Sequence, residues 1–386
     1  MSTERLLLAL LKYELRAIAP RQEEMAALGS SEELERVCAL AKKHEVISFA
    51  AHAIFDLGIT LSGELTVRLQ KHLMLAKHHY ECINYEISEI SRVLKEKGIE
   101  HIFLKGSTIR AYYPVPWLRT SCDIDVLVKE EKLSEAQAVL ESELSYVSTG
   151  KTPHDIPMNA PSKVHVELHY NLLESDVVDG AEKVLLDVWN YAEPNENTSL
   201  YTLADEMYYY YHIVHMAKHF VHGGCGIRPF LDLWLLENKI AGDWQKRAEL
   251  LAQGGMERFC ETAREVASVW IGDAPSTERV QEVERYIMYG GVYGNTENRV
   301  AVQQLKKGGK FKYMISRIFP PLSLMQCMYP ILEKHKWLLP FMYVRRFFRL
   351  TRKGRLTRSV AEFKYNENIT KAGQKETEKF LDKIGL

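Results

Sequence analysis

Two aspartates one residue apart, Asp123 and Asp125, stand in the apolar stretch "CDIDVLV". In an extended chain, residues i and i+2 point to one face. Both carboxylates then project together, while Ile124 and Val126 go into a core. Carboxylates that close repel one another, and a bound cation offsets the repulsion. Mg²⁺, which takes oxygen ligands and keeps water and phosphate oxygens, is the natural guest, with Mn²⁺ as its substitute. A third carboxylate, Glu167, lies in the next alternating stretch, "VHVELHY". If the two strands are neighbours, Asp123, Asp125 and Glu167 could hold two metals about 3.5–4 Å apart, the geometry for in-line displacement at phosphorus.

Upstream stands Lys105-Gly106-Ser107. Gly106 lets the backbone approach a ligand closely. A helix beginning near Ser107 would aim its first N–H groups at an anion such as a triphosphate. Lys105 and Arg119 could neutralise phosphate charge, although Lys105 could equally be a solvated lysine at a strand end and Arg119 could equally hold the Pro-rich loop before it. His165 and His169 flank Glu167 on the same predicted face. Zinc prefers more nitrogen or sulfur ligands than this pattern offers, so the two histidines are expected to orient Glu167 or pack near it. In "YYYYHIVHMAKHF", His212, His215 and His219 share one helical face. Either these histidines are partly buried with hydrogen-bond partners, or the helix faces the acidic strands and brings Lys218 or His219 near the nucleotide or acceptor. Arg228 is a further candidate contact, and its spacing to Asp232 fits an intrahelical pair. The four tyrosines Tyr208 to Tyr211 go round the whole helix and read mostly as core.

The elements that must position these groups follow from periodicity. Residues 1–98 read as helical, with a helix start at Ser31-Glu32-Glu33-Leu34 and a long helix from Leu65 to Lys97 closed by Gly98. Between residues 99 and 200, strands alternate with helices: strands at His101–Leu104, Asp123–Val128 and Val164–His169, and helices at Ser107–Tyr112 and Ser134–Leu144, with Ser134 as N-cap. Helices return over Leu203–Val221 and Arg228–Glu237, separated by the break Gly223-Gly-Cys-Gly. This is an α+β pattern.

Composition narrows the function classes. The net charge of −1 hides an asymmetry: residues 299–358 carry fifteen Lys/Arg against the single acid Glu333, and the tail after Arg358 balances, so residues 1–298 carry −15. The acidic part suits divalent cations and the basic part suits an anion. The basic part also holds Phe341, Phe347 and Phe348, which are expected to be buried against the helical units. No apolar run reaches the ~18 residues of a membrane span. The six cysteines show no paired spacing, which fits free thiols in a reducing cytoplasm.

The phrases "FLKGSTIRAYYP", "LRTSCDIDVLV", "VHVELHYNL" and "HMAKHFVHGGCGIRPFLDLWLL" resemble a bacterial nucleotidyltransferase-like family within the polymerase-β-like superfamily, over roughly residues 45–350. The resemblance implies a mixed-sheet palm flanked by helical units, and Mg²⁺-dependent transfer of an NMP from an NTP, ATP in the first place. It implies Gly106 and Ser107 as the phosphate turn, Asp123 and Asp125 as the metal pair and Glu167 as the third acid. Fifteen residues separate Ser107 from Asp123, more than is usual in the superfamily. The Tyr-Tyr-Pro-x-Pro insertion accounts for the excess and leaves the acceptor pocket unspecified. The expected organisation is a helical unit at 1–98, the nucleotidyltransferase palm at 99–200, a helical unit packing on it at 201–298, and a basic, mostly helical region at 299–386. The expected function is NMP transfer to an acceptor hydroxyl of a small molecule, peptide or protein in the cytoplasm. An RNA-directed enzyme on the same palm and a non-catalytic nucleotide-binding module are the alternatives.

Overall fold

The computed structural model describes all residues except 174–179, 196–197, 292–295, 352–365 and 368. Arg352, part of the basic run, lies outside the described residues. The chain opens with helices α1 (Thr3–Arg16), α2 (Gln22–Leu28), α3 (Ser31–Lys43) and α4 (Ile47–Asp56), then the long α5 (Gly63–Glu96). The hydroxyl of Ser62 caps α5 by accepting from the Leu65 N–H. Gly98, with φ +63°, ends it by supplying the left-handed conformation that closes a helix.

The central elements are β1 (His101–Phe103), α6 (Gly106–Ile109), β2 (Asp123–Val128), α7 (Leu133–Leu144), β3 (Val147–Ser148), β4 (Asp155–Asn159), β5 (His165–His169), α8 (Ala181–Leu185), β6 (Ala192–Pro194) and β7 (Leu200–Leu203). The seven strands form one mixed sheet in the order β3-β4-β5-β2-β1-β7-β6. β2 runs parallel to β5 and antiparallel to β1. Ser134 does not cap α7: a 3₁₀ turn at Glu130–Lys132 runs straight into the helix, which leaves Ser134 inside its first turn. The strands β3, β4, β6 and β7 go beyond the sequence reading. Pro157 in β4 and Pro194 in β6 lack the N–H that a strand pattern leads one to expect. β7 also takes Leu203, the first residue assigned to the following helix.

The helices after the sheet are α9 (Asp205–Val221), α10 (Arg228–Lys239), α11 (Trp244–Gly254), α12 (Glu257–Trp270), α13 (Glu278–Gly290), α14 (Thr296–Lys307), α15 (Lys310–Ile318), α16 (Leu322–Met328), α17 (Ile331–Lys334) and α18 (Leu339–Thr351), and a last helix spans Lys371–Ile384. One hydrophobic core joins Leu6, Leu10 and Phe49 of the first helices to Phe220, Phe230 and Phe259 of α9, α10 and α12. A second core lies between α5, α7 and the sheet, and it contains Ile124, Val126, Val166 and Leu168. The site strands are therefore clamped on their apolar faces, which leaves the alternate faces free to present polar groups.

The basic region differs from expectation. Phe341, Phe347 and Phe348 are 64%, 62% and 62% exposed rather than buried. The reason is the small core beneath them, built on Met325, Tyr329 and Leu332, which takes in Met342 and Tyr343 but not the other face of α18.

Candidate active site

The site starts at the β2–β5 pairing. Their parallel register sets Asp123 opposite His165 and Asp125 opposite Glu167. Alternation does the rest: Ile124 and Val126 are fully buried in the core, and the two aspartates and Glu167 line a cleft of about 320 Å³. The cleft is closed from the other side by α9 and α10, which contribute His215, Lys218, His219, Arg228 and Asp232. Lys105, Gly106 and Arg119 also line it. Every sequence-predicted site residue except Ser107 thus borders one cavity.

Asp125 is the most constrained group. It is buried, Lys105 Nζ lies 2.7 Å from its Oδ1, and His169 Nε2 lies 3.0 Å from the same oxygen. Burial would raise its pKa, but Lys105 and His169 outweigh burial and hold the carboxyl far below its usual range. His169 also reaches Glu167 Oε2 at 3.3 Å. Burial opposes its charge, yet the hydrogen bonds to Asp125 and Glu167 raise its pKa. Asp123 behaves oppositely: burial and then the neighbouring Asp125 push its pKa up. Two carboxylates on one strand face therefore have different protonation tendencies.

His169 is the partner that sequence reasoning placed in a supporting role. Ligand atoms of Asp125, Glu167 and His169 all lie within 4.8 Å of one another, so the compact metal-capable set exchanges Asp123 for His169. Asp123 lies at the start of the same strand face. Two carboxylates and an imidazole suit a divalent cation, and the burial and the neighbouring Asp125 that raise the Asp123 pKa penalise its charge in a way that a bound cation would offset.

The Lys-Gly-Ser turn has a different structure from the expected one. The N–H of Ser107 bonds to Leu104 O at 3.2 Å, and those of Thr108 and Ile109 bond to Lys105 O. The short helix closes on its own carbonyls and does not direct a row of N–H groups outward. The Ser107 hydroxyl is buried and has no hydrogen-bond partner among the described residues. Lys105 sits at φ +48°, in the left-handed region that disfavours a side chain. It is held at both ends: its carbonyl accepts from Tyr208 Oη at 2.8 Å and its ammonium meets Asp125. Lys105 is thus an ion-paired lysine aimed into the cleft, not a solvated one.

Gly106 is required by packing. A Cβ there would lie 2.5 Å from Arg119 Nη1 and 2.9 Å from Ser121 Cβ. Arg110, buried and overlooked by sequence reasoning, fastens this junction by donating to Gly106 O at 2.8 Å and Ser121 Oγ at 3.0 Å. Arg119 forms a two-pronged pair with Asp232, at 2.8 Å and 3.3 Å, and Tyr113 Oη donates to the same carboxylate at 2.6 Å. Asp232 therefore pairs across to Arg119 and not along its own helix to Arg228. Arg228 instead donates to Thr120 O at 2.9 Å and reaches Glu45 at 3.5 Å. The reason is position: α10 begins against the 119–121 loop, so its first residue meets that loop.

On α9, burial and then Lys105 lower the pKa of Lys218 to about 8. Burial and then Lys218 lower that of His219 to about 3. His215 and His219 approach at 3.0 Å between their Nε2 atoms. The cleft wall at α9 is therefore cationic through Lys218 and neutral at the two imidazoles. Glu45 and His154 also line the cleft. Glu45 comes from the turn between α3 and α4, some eighty residues before β2, and nothing in the sequence signals that approach. His154 stacks on His169 with ring centroids 5.9 Å apart; its position just before a strand that was not anticipated concealed it.

No curated protein matches the chain. A solved structure, the antibiotic-resistance factor ANT(2'')-Ia, is similar at 12% identity, over 43% of this chain and 87% of that one, with a TM-score of 0.32. The family described as uncharacterised nucleotidyltransferase matches residues 30–272. That span covers more than half of the sequence and contains both acidic strands, the Lys-Gly-Ser turn and the two helices that close the cleft, so the chain belongs to this family of nucleotidyltransferases.

Proposed function

We propose that the protein moves a nucleoside monophosphate from an NTP, ATP in the first place, to a hydroxyl of a small molecule, peptide or protein. Residues 99–200 would be the catalytic palm, with helical units at 1–98 and 201–298 and the basic region at 299–386. The reading rests on one observation above all: Asp125 and Glu167 sit side by side in the β2–β5 register, with Asp123 on the same strand, Lys105 paired to Asp125 and Lys218 lining the same cleft. Asp123, Asp125 and Glu167 would hold Mg²⁺ or Mn²⁺, with His169 hydrogen-bonded behind Asp125 and Glu167, and the ion would supply charge neutralisation at the phosphates when bound. Lys218 and Arg228 would bind the phosphate chain electrostatically. Lys105 sits against Asp125 and would keep that carboxylate charged and fixed. In the transfer step the acceptor oxygen forms a bond to the α-phosphorus, the bond between the α-phosphorus and the bridging oxygen breaks, and pyrophosphate leaves. Glu167, the most accessible of the clustered groups, would take the hydroxyl proton.

The cleft volume of about 320 Å³ falls within the ~300–1,000 Å³ of small-ligand sites, which supports a small acceptor group over a nucleic-acid duplex. Pyrophosphate release from each NTP, measured with a panel of hydroxyl acceptors and with or without Mg²⁺, tests the reading. Glu167→Gln should lower turnover at least tenfold while calorimetric nucleotide affinity changes less than threefold, roughly the division expected for a proton-accepting group. Near-normal turnover in both Glu167→Gln and Asp123→Asn overturns the mechanism. Tight nucleotide binding with no pyrophosphate release on any acceptor supports the non-catalytic module instead.

A further inference from the structure

Helices α15 and α18 carry exposed apolar stripes. On α15 the stripe is Phe311, Ile315 and Ile318, at spacings of four and three. On α18 it is Phe341, Val344 and Phe348, at spacings of three and four. Each stripe follows one side of its helix. Trp337, just before α18, is also exposed. The two helices adjoin: the Phe319 ring meets Tyr343 edge-on with centroids 5.2 Å apart, and Arg346 donates to Ile318 O at 3.3 Å. Their inward faces are already satisfied by Tyr313 and by the small core around Met325 and Tyr329. The exposed stripes are therefore an outer surface left over after folding.

The charge around them has one sign. Residues 310–349 hold eight Lys and Arg against Glu333 alone. Arg345 and Arg349 follow the α18 stripe directly, and Lys312 and Arg317 flank that of α15. A second copy of this chain would bring like charge against like charge, which disfavours self-pairing. Among polyanions, nucleic acid gains from aromatic faces that stack on bases. Ile315, Ile318 and Val344 cannot stack and gain only by leaving water. Phenylalanine, tryptophan and aliphatic residues interleaved with Lys and Arg on short amphipathic helices match an interfacial membrane helix pair. No described helix is long and apolar enough to cross a membrane, which fits peripheral contact.

We propose that α15 and α18 dock the protein on an anionic phospholipid surface, with the aromatic stripes entering the headgroup boundary and the basic residues meeting lipid phosphates. This surface is separate from the cleft, and the inference does not depend on the nucleotidyl-transfer reading. The full chain would be tested by co-sedimentation with vesicles of phosphatidylcholine alone and of phosphatidylcholine with 30% phosphatidylglycerol. Binding should be roughly tenfold or more tighter to the anionic vesicles and should weaken with salt. A Phe311→Ser, Phe341→Ser and Phe348→Ser triple variant and an Arg345→Glu and Arg349→Glu double variant should each lose roughly tenfold or more. Thermal melting checks that both remain folded. A measurement on unaltered aromatic stripes stands beside them: brominated lipid in the anionic vesicles should quench fluorescence that disappears in Trp337→Phe. Binding to neutral and anionic vesicles alike, full binding by the triple variant, or no Trp337 quenching overturns the proposal. Retention of a random RNA pool at physiological salt, with no vesicle binding, also overturns it and assigns the surface to RNA.

Discussion

Asp123 and Asp125 differ by more than position. Asp125 is enclosed by Lys105 and His169, while Asp123 borders the cleft with its pKa raised by burial and by Asp125. Neutralising each should therefore give different results. Asp123→Asn removes a repulsion and leaves no charge stranded, so stability should change by less than about 0.5 kcal/mol while metal-dependent nucleotide binding falls. Asp125→Asn leaves the Lys105 ammonium in a buried site without its counter-charge, at a cost of about 3 kcal/mol. Urea unfolding of the two variants checks this, and equal stability losses would show that Lys105 does not depend on Asp125. Lys218 gives a pH prediction. Its pKa lies near 8 in the folded protein, below its ordinary 10.5, so it is charged below about pH 8 and neutral above. Between pH 8 and 10.5 the unfolded chain holds the extra proton, so this group's contribution to stability rises with pH across that window. Nucleotide affinity should move the other way, falling as pH rises through 8, because the phosphate loses a cation. Calorimetric titrations at pH 7 and 9 should show the fall in the native protein and a flatter profile in Lys218→Met. The same slope in both would remove Lys218 from the phosphate site.

At the scale of elements, the junction between the Lys-Gly-Ser turn and the 119–121 loop is tightly packed. Arg119 cannot yield easily to a Cβ at position 106, because Asp232 grips it by two nitrogens. Gly106→Ala should therefore destabilise by about 1–3 kcal/mol through overpacking, with part of any affinity loss following from the displaced loop. A chemical denaturation midpoint unchanged from the native protein would show that the junction relaxes freely. This packing was not legible in the sequence, where Gly106 reads as a backbone that approaches phosphate. What was legible was periodic. The alternation in "DIDVLV" and "VHVELH" predicts strands at 123–128 and 164–169, the structure has them at 123–128 and 165–169, and their burial pattern sends Ile124, Val166 and Leu168 inward. The long α5 and its Gly98 ending were readable for the same reason. Pairings between distant segments were not. Asp232 meeting Arg119, Arg228 meeting Glu45 and His154 stacking on His169 each depend on how helices and strands dock, and a spacing along the chain contains no record of that. The exposed Phe341 and Phe348 teach the converse. Aromatic residues at helical spacing imply a buried face only when the chain supplies something to cover it.

At the scale of the whole molecule, the family match and the main hydrophobic core have different boundaries. The match begins at residue 30, yet Leu6, Leu7, Leu10 and Leu11 of α1 are fully buried in the core that also holds Phe230 and Phe259. Polar ties reinforce the contact: Lys12 donates to Gly272 O and Asp273, and Arg16 to Ile271 O and Asp273. From the other end, Leu381 and Ile384 of the last helix enter the same core, and Phe380 stacks on Tyr286 with centroids 4.5 Å apart. The helices that close the cleft, α9 and α10, are held in place by this core and not by the sheet alone. A fragment of residues 30–272 would keep every cleft residue and lose the apolar cover of α10 and α12. Removing one leucine already predicts a large effect: Leu10→Ala should cost about 2–5 kcal/mol, and the fragment forfeits four such side chains together with the ties to Asp273. It should show no cooperative thermal transition and expose amides of α9 and α10 to rapid hydrogen exchange, while the full chain protects them. A fragment that melts cooperatively and binds nucleotide with native affinity would show that the strands and the two closing helices position the site without α1.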